Sequence, residues 1–226
     1  MHIGMIGGIG PAATEFYYKN LVQVYKSKNK LMDLTIVHAE ATDLIGNIGT
    51  NTPEKQAQIF LKLALRLKAA GADVIAISSI AGHFCIPEFE KLSPLPIVSA
   101  ISALESELTK RGIQRIGLLG HRVPMESKLF GGISFSEVVI PLGEDLDKVH
   151  NEYIQIATTG KATDSQRKLF FSIGKGLCDK QEADVVVLAG TDLFLAFDGY
   201  NCGFTTIDSA LVHINALFNE SINKST

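Results

Sequence analysis

The 226-residue chain has only three cysteines, Cys85, Cys178 and Cys202, and they match no zinc-ligand spacing. An odd number cannot complete a paired framework, which excludes a small disulfide-stapled fold and leaves free thiols in a reducing cytoplasm as the plain expectation. Basic runs are missing as well. With 21 Lys plus Arg against 24 Asp plus Glu, the formal net charge is −3, which speaks against nucleic-acid and anionic-membrane partners. No apolar stretch approaches the roughly 20 residues of a bilayer-spanning helix. Met1-His2-Ile3 leads into an apolar segment with neither the basic region nor the small-residue cleavage site of a secretory signal. Small polar or anionic metabolites remain open as ligands, since a local positive field needs only helix N-termini and one or two cations.

What is present is a repeating grammar. Apolar residues make up 46% of the chain in short, evenly spread runs, as expected of a folded core. Strands are predicted at residues 2–6, 34–38, 74–77 and 97–98, with helices at 14–25, 53–70 and 87–91. Thr52 and Pro53 suit the N-cap and first position of the second helix, and Gly71 its left-handed end. The rhythm then restarts: a helix at 100–111 ending on Gly112, strands at 115–119, 138–140 and 185–188, and helices at 146–157, 164–181 and 208–219. Alternation of this kind predicts an α/β fold with mostly parallel four-stranded sheets, organised as two similar doubly wound, Rossmann-like domains. Their predicted extents are residues 1–98 plus 205–226 and residues 99–204. In such sheets, ligands bind beyond the carboxyl ends of the strands.

The first such loop is Gly7-Gly8-Ile9-Gly10-Pro11. Its glycines allow a tight turn whose backbone N–H groups could face an anion, Pro11 fits the first helical position, and Thr14 could add a hydroxyl. From Gly4 the spacing is G-x-x-G-G-x-G, not the G-x-G-x-x-G of dinucleotide sites, and no ribose-binding acid follows the second strand. The choices are a small carboxylate or phosphate first, a purely structural turn next, and NAD or flavin last.

Two further strand ends carry chemistry. Ser78-Ser79-Ile80-Ala81-Gly82-His83 follows one buried run, and Gly190-Thr191-Asp192 follows another. Inverting a carbon next to a carboxylate takes two poised groups, one removing a proton and one returning it on the opposite face. Thiols suit both roles near neutral pH, whereas an ordinary serine is a poor base. This chain offers Ser79 in the first half and, at the matching place, Gly190, which has no side chain.

Taken together these segments resemble the aspartate/glutamate racemase family. Gly7-Gly8-Ile9-Gly10-Pro11 with Thr14 is similar to its G-G-M-G-P…T opening, and Ser79-Ile80-Ala81-Gly82-His83 stands where the family has C-N-T-A-H. Gly190-Thr191-Asp192 stands where it has C-T-E, and Leu118-Leu119-Gly120-His121 resembles its L-L-G-T. Thr206-Ile207-Asp208-Ser209-Ala210 with His213 resembles its closing F-D-T…H. The resemblance implies two domains related by a pseudo-twofold axis with a cleft between them, no cofactor and no metal, and a homodimer. It assigns Ser79, His83, Asp192 and the vacated Gly190 position to catalysis. Gly8, Gly10, Thr14, Asn51, Thr52, Ile80, Ala81, Thr191 and Asp208 are assigned to binding a small amino acid or carboxylate. Both cysteine positions are substituted, residues 43–53 contain no arginine, and Ile80 replaces an asparagine. The expectation is therefore a family member, cofactor-independent and isomerase-like if active, whose two-thiol racemase activity is weak or lost. Two alternatives stand: one-sided lyase or hydrolase chemistry with Ser79 and His83, or non-catalytic binding of a small ligand. Cys202 and Cys85 are the remaining thiols that could substitute.

Overall fold

The computed structural model describes residues 1–223. Elements follow in the order β1 (His2–Gly7), α1 (Pro11–Ser27), β2 (Asp33–His38), α2 (Ala41–Gly49), α3 (Pro53–Ala69), β3 (Val74–Ile77), a 3₁₀ turn (Ala81–Cys85), α4 (Ile86–Leu92) and α5 (Ala100–Arg111). Then come β4 (Arg115–Gly120), α6 (Arg122–Glu126), β5 (Glu137–Val139), α7 (Glu144–Thr159), α8 (Asp164–Gln181), β6 (Val185–Ala189), α9 (Phe194–Phe197), β7 (Thr206–Asp208) and α10 (Ser209–Asn223).

Two parallel sheets result, ordered β2-β1-β3 and β5-β4-β6-β7. Each places its first strand in the middle, covered on both faces, which is why β1 and β4 read as nearly unbroken apolar runs. Close helix packing explains one glycine in each. A Cβ on Gly4 would meet Leu67 and Ala72 at 3.0 Å, and one on Gly117 would meet Leu177 Cδ1 at 2.9 Å. So α3 lies against β1, and α8 against β4, through the same device. The buried face of α3, formed by Ala57, Phe60, Leu63, Ala64 and Leu67, has the three-and-four spacing of an amphipathic helix. Gly71 and Gly112 take left-handed backbone at helix ends, as their positions predict.

Three expectations need correction. The first sheet has three strands, not four: residues 97–98 contribute only a parallel bridge from Ile97 to Ile75. Pro94 and Pro96 have no N–H to donate, so the ladder cannot extend before that bridge. Second, the described chain divides into Met1–Ala100 with residues 213–223, and Ile101–Val212. Residues 205–212 therefore group with the second unit, because β7 pairs with β6 through Val187↔Ile207 and Leu188↔Asp208. Residues 224–226 of the predicted returning segment lie outside the described residues. Third, α1 is longer than the span 14–25: it starts at Pro11, the first helical position expected of that proline, with Gly10 in left-handed conformation before it.

Among the described residues no helix is long and apolar enough to cross a membrane, and no cluster of His, Cys, Asp and Glu is arranged to hold a metal ion.

Candidate functional site

The loop after β1 is held closed by a side chain of α1. Thr14 Oγ1 accepts the Gly8 N–H at 2.9 Å, and its hydroxyl lies 3.3 Å from both the Gly10 carbonyl and Ser78 Oγ. Gly8 has φ 89° and abuts its neighbours: a Cβ there would collide with His38 Nδ1 and approach the Ala39 carbonyl to 2.6 Å. Glycine is thus required at residue 8 by conformation and by space. Gly8, Gly10 and Thr14 do come together, joined by Ser78 from the end of β3, which sequence reasoning passed over. The Gly8 N–H, expected to face an anion, is already bonded to Thr14.

Ser79 follows β3 and is almost fully buried. Its Oγ accepts the Gly82 N–H at 3.3 Å, which starts the 3₁₀ turn. His83 lies within that turn at 1% exposure. Its Nδ1–H donates to the Ser79 carbonyl at 2.7 Å, which leaves Nε2 to accept the Ala100 N–H at 3.0 Å. Burial holds its imidazole down to about 4, with the Ser79 carbonyl bond opposing, so the ring is neutral near pH 7. Both nitrogens are committed to backbone. This arrangement ties the Ser79 turn to Ala100, the first residue of α5. A second buried imidazole extends the stitch. His213 Nε2–H donates to the Val98 carbonyl at 2.8 Å, and Nδ1 accepts the Tyr17 hydroxyl at 2.9 Å.

In the second unit, Gly190, Thr191 and Asp192 follow β6, and the last two are 2% exposed. Tyr153 of α7 lies across them. Its hydroxyl donates to Asp192 Oδ2 at 3.3 Å, while Thr191 and the Asp192 backbone also bond the phenol. Burial and the Asp192 carboxylate push the phenol well above its ordinary value, so it remains protonated. A Cβ on Gly190 would lie 2.7 Å from Tyr153 Cζ and 2.9 Å from Cδ2, and nearer still to Cε2. His121, at the end of β4, meets this tyrosine edge-on with ring centroids 6.3 Å apart. Its Nδ1 accepts the Val123 N–H, and burial, with His150 and Arg122 nearby, lowers it to about 4.

The other predicted contacts have local employment. Thr52 stands before Pro53 as expected but makes no cap bond to α3; its hydroxyl reaches the Asn47 carbonyl, Asn47 Oδ1 and Thr50 Oγ1. Asn51 is exposed with φ 49°, a turn conformation asparagine tolerates. Ile80 is 1% exposed and packs in the core, and Ala81 beside it is half-buried. Asp208 accepts the Ala210 and Leu211 N–H groups at 2.8 and 3.3 Å and so caps α10. Burial nevertheless raises its carboxyl to about 6. Of the alternative thiols, Cys85 is fully buried and pushed up to about 12 by burial and Glu88, so it stays a thiol. Cys202 is half-buried, with Sγ 3.2 Å from the Phe204 carbonyl.

Tyr153 is the chief residue that sequence reasoning missed. Between Val149 and Ile156 it reads as an ordinary core aromatic on a helical stripe. The available signal was indirect: a strand-end glycine where a side chain is expected implies that something else fills the space.

With this geometry in hand, comparison with known proteins places the chain. The Asp/Glu/Hydantoin racemase family model matches residues 6–217. Among solved structures, an aspartate racemase homologue from Pyrococcus horikoshii is 24% identical with a TM-score of 0.81, covering 97% of this chain and 98% of its own. The Picrophilus torridus aspartate racemase is 20% identical with a TM-score of 0.80, over 98% of this chain and 94% of its own. A glutamate racemase from Francisella tularensis, solved in complex with D-glutamate, is 14% identical with a TM-score of 0.69, over 99% and 82%. Their likeness in fold agrees with two Rossmann-like units built on parallel sheets, and the match over nearly the whole length shows that this chain belongs to the Asp/Glu/Hydantoin racemase family.

Proposed function

We propose that this family member binds a small amino acid or carboxylate at the loops following its parallel strands and does not invert it by two-base chemistry. The observation that carries the reading is the commitment of His83: its ring nitrogens bond the Ser79 carbonyl and the Ala100 N–H. Ser79 therefore gains no base from the imidazole four residues on, and a hydroxyl without a base is a feeble proton acceptor. At the matching position of the second unit, Gly190 supplies no group at all. Family membership supports the ligand class, as does the D-glutamate complex of the Francisella relative. The resemblance also points to cofactor independence, a cytoplasmic location and a homodimer, which belong to the same proposal.

Calorimetry with aspartate, glutamate and their α-hydroxy and dicarboxylate counterparts tests the binding half of this reading. Saturable binding weakened by Thr14→Val supports it, because that change removes the acceptor that holds the Gly8 loop. Absence of binding across the panel would refute it. Loss or retention of the ligand α-proton in deuterated water tests the chemical half.

A further inference from the structure

The β6 end is crowded by one side chain. Tyr153 reaches it from the middle of α7, on the face that also buries Val149 and Ile156. Three independent partners fix where its ring can be: the Asp192 carboxylate and Thr191 hold the phenol, and the His121 ring stands edge-on to it. So held, the ring takes the volume that the first carbon of any side chain on residue 190 would need. The approaches of 2.7 and 2.9 Å to Cζ and Cδ2 are shorter than real Cβ contacts allow. Relief by a change of tyrosine rotamer would break the bonds to Asp192 and Thr191 inside a buried site, where unpaired polar groups are costly. The tyrosine, held as it is, thus requires the glycine.

We propose that Tyr153 is the specificity-determining side chain of the second unit, closing the end of β6 to any side chain on residue 190 and leaving an aromatic wall in place of a reactive group. The ligand role rests on the functional reading above, namely a small amino acid or carboxylate bound at the strand ends. The steric role does not.

Four proteins test it: the parent, Gly190→Cys, Tyr153→Ala and the double variant. In the parent background Gly190→Cys is expected to lower the melting temperature by roughly 2–12 °C, the range for an overpacked core position in a chain of this size. In the Tyr153→Ala background the same change is expected to cost little, and peptide-resolved alkylation should find the introduced thiol reactive only there. Should Gly190→Cys fail to fold, Gly190→Ala carries the same comparison, since it too adds the Cβ. Equal melting shifts in both backgrounds would overturn the proposal. Calorimetry then reads specificity: Tyr153→Ala should favour ligands longer by one methylene by about tenfold or more relative to the parent. Tyr153→Phe, which keeps the ring, should leave the ranking alone. An unchanged ranking in Tyr153→Ala would overturn the ligand role. Coupled melting without binding by any variant would overturn that role together with the functional reading, whereas uncoupled melting with normal binding would overturn this proposal alone.

Discussion

Acid should loosen the first unit through His83 and His213, and the effect can be sized. Both imidazoles are buried with each nitrogen bonded, so a proton can be added only by breaking a hydrogen bond inside the core. Burial lowers His83 from 6.5 to about 4 and His213 to about 3, the latter also through His83. The sign follows from comparing states: between pH 6.5 and 4 the unfolded chain takes up protons that the fold refuses, so stability falls as pH falls. For His83 the interval from 6.5 to about 4 corresponds to roughly 3 kcal/mol in total, at about 1.4 kcal/mol per pH unit. Asp208 works in the opposite direction, since its raised carboxyl binds a proton more readily in the fold than in the unfolded chain between about 3.8 and 6. A comparison of variants isolates the histidine. Urea unfolding followed by circular dichroism from pH 7.5 to 4.5 should show that His83→Asn loses about 1.5 kcal/mol less than the parent between pH 6.5 and 5. Parallel profiles for the two proteins, or an imidazole resonance of His83 titrating near 6.5, would refute the reasoning.

Other consequences are local. Thr14→Val should cost about 1–3 kcal/mol by leaving the buried Gly8 N–H without its acceptor, and Thr14→Ser should recover most of that in the same denaturant titration. Asp208→Ala should lose the α10 cap, about 0.5–2 kcal/mol; Asp208→Asn should keep much of the cap while flattening the contribution between pH 4 and 6. Alkylation at pH 8 followed by peptide mapping should modify half-buried Cys202 well before Cys85, whose thiol is buried and pushed up to about 12. Equal rates at the two cysteines would contradict that placement.

Where the fold was legible, a local signal and a packing demand coincided. The Ile3-Gly4-Met5-Ile6-Gly7 and Ile116-Gly117-Leu118-Leu119-Gly120 runs announce central strands because burial on both faces requires apolar residues and close helices require Gly4 and Gly117. The failures are non-local. Thr206–Asp208 is too short to announce a strand and gains its identity from pairing with β6. Residues 97–98 look like a strand until the flanking prolines are counted as missing donors. At the site, Ser79, His83 and Gly190 stood out as strand-end residues, but their roles depended on partners far along the chain. Ala100, 17 residues from His83, decides what that imidazole can do. Likewise Tyr153 explains Gly190 from 37 positions away, through a contact that no periodicity reveals.

The most direct test of the account follows the α-proton of a bound ligand in deuterated water by proton NMR, with optical rotation recorded alongside, for aspartate, glutamate and their longer homologues. The account predicts binding with the α-proton and the configuration retained, because Ser79 lacks a base and Gly190 faces the Tyr153 ring in place of a second reactive group. Rapid exchange with inversion, abolished by Ser79→Ala, would contradict it.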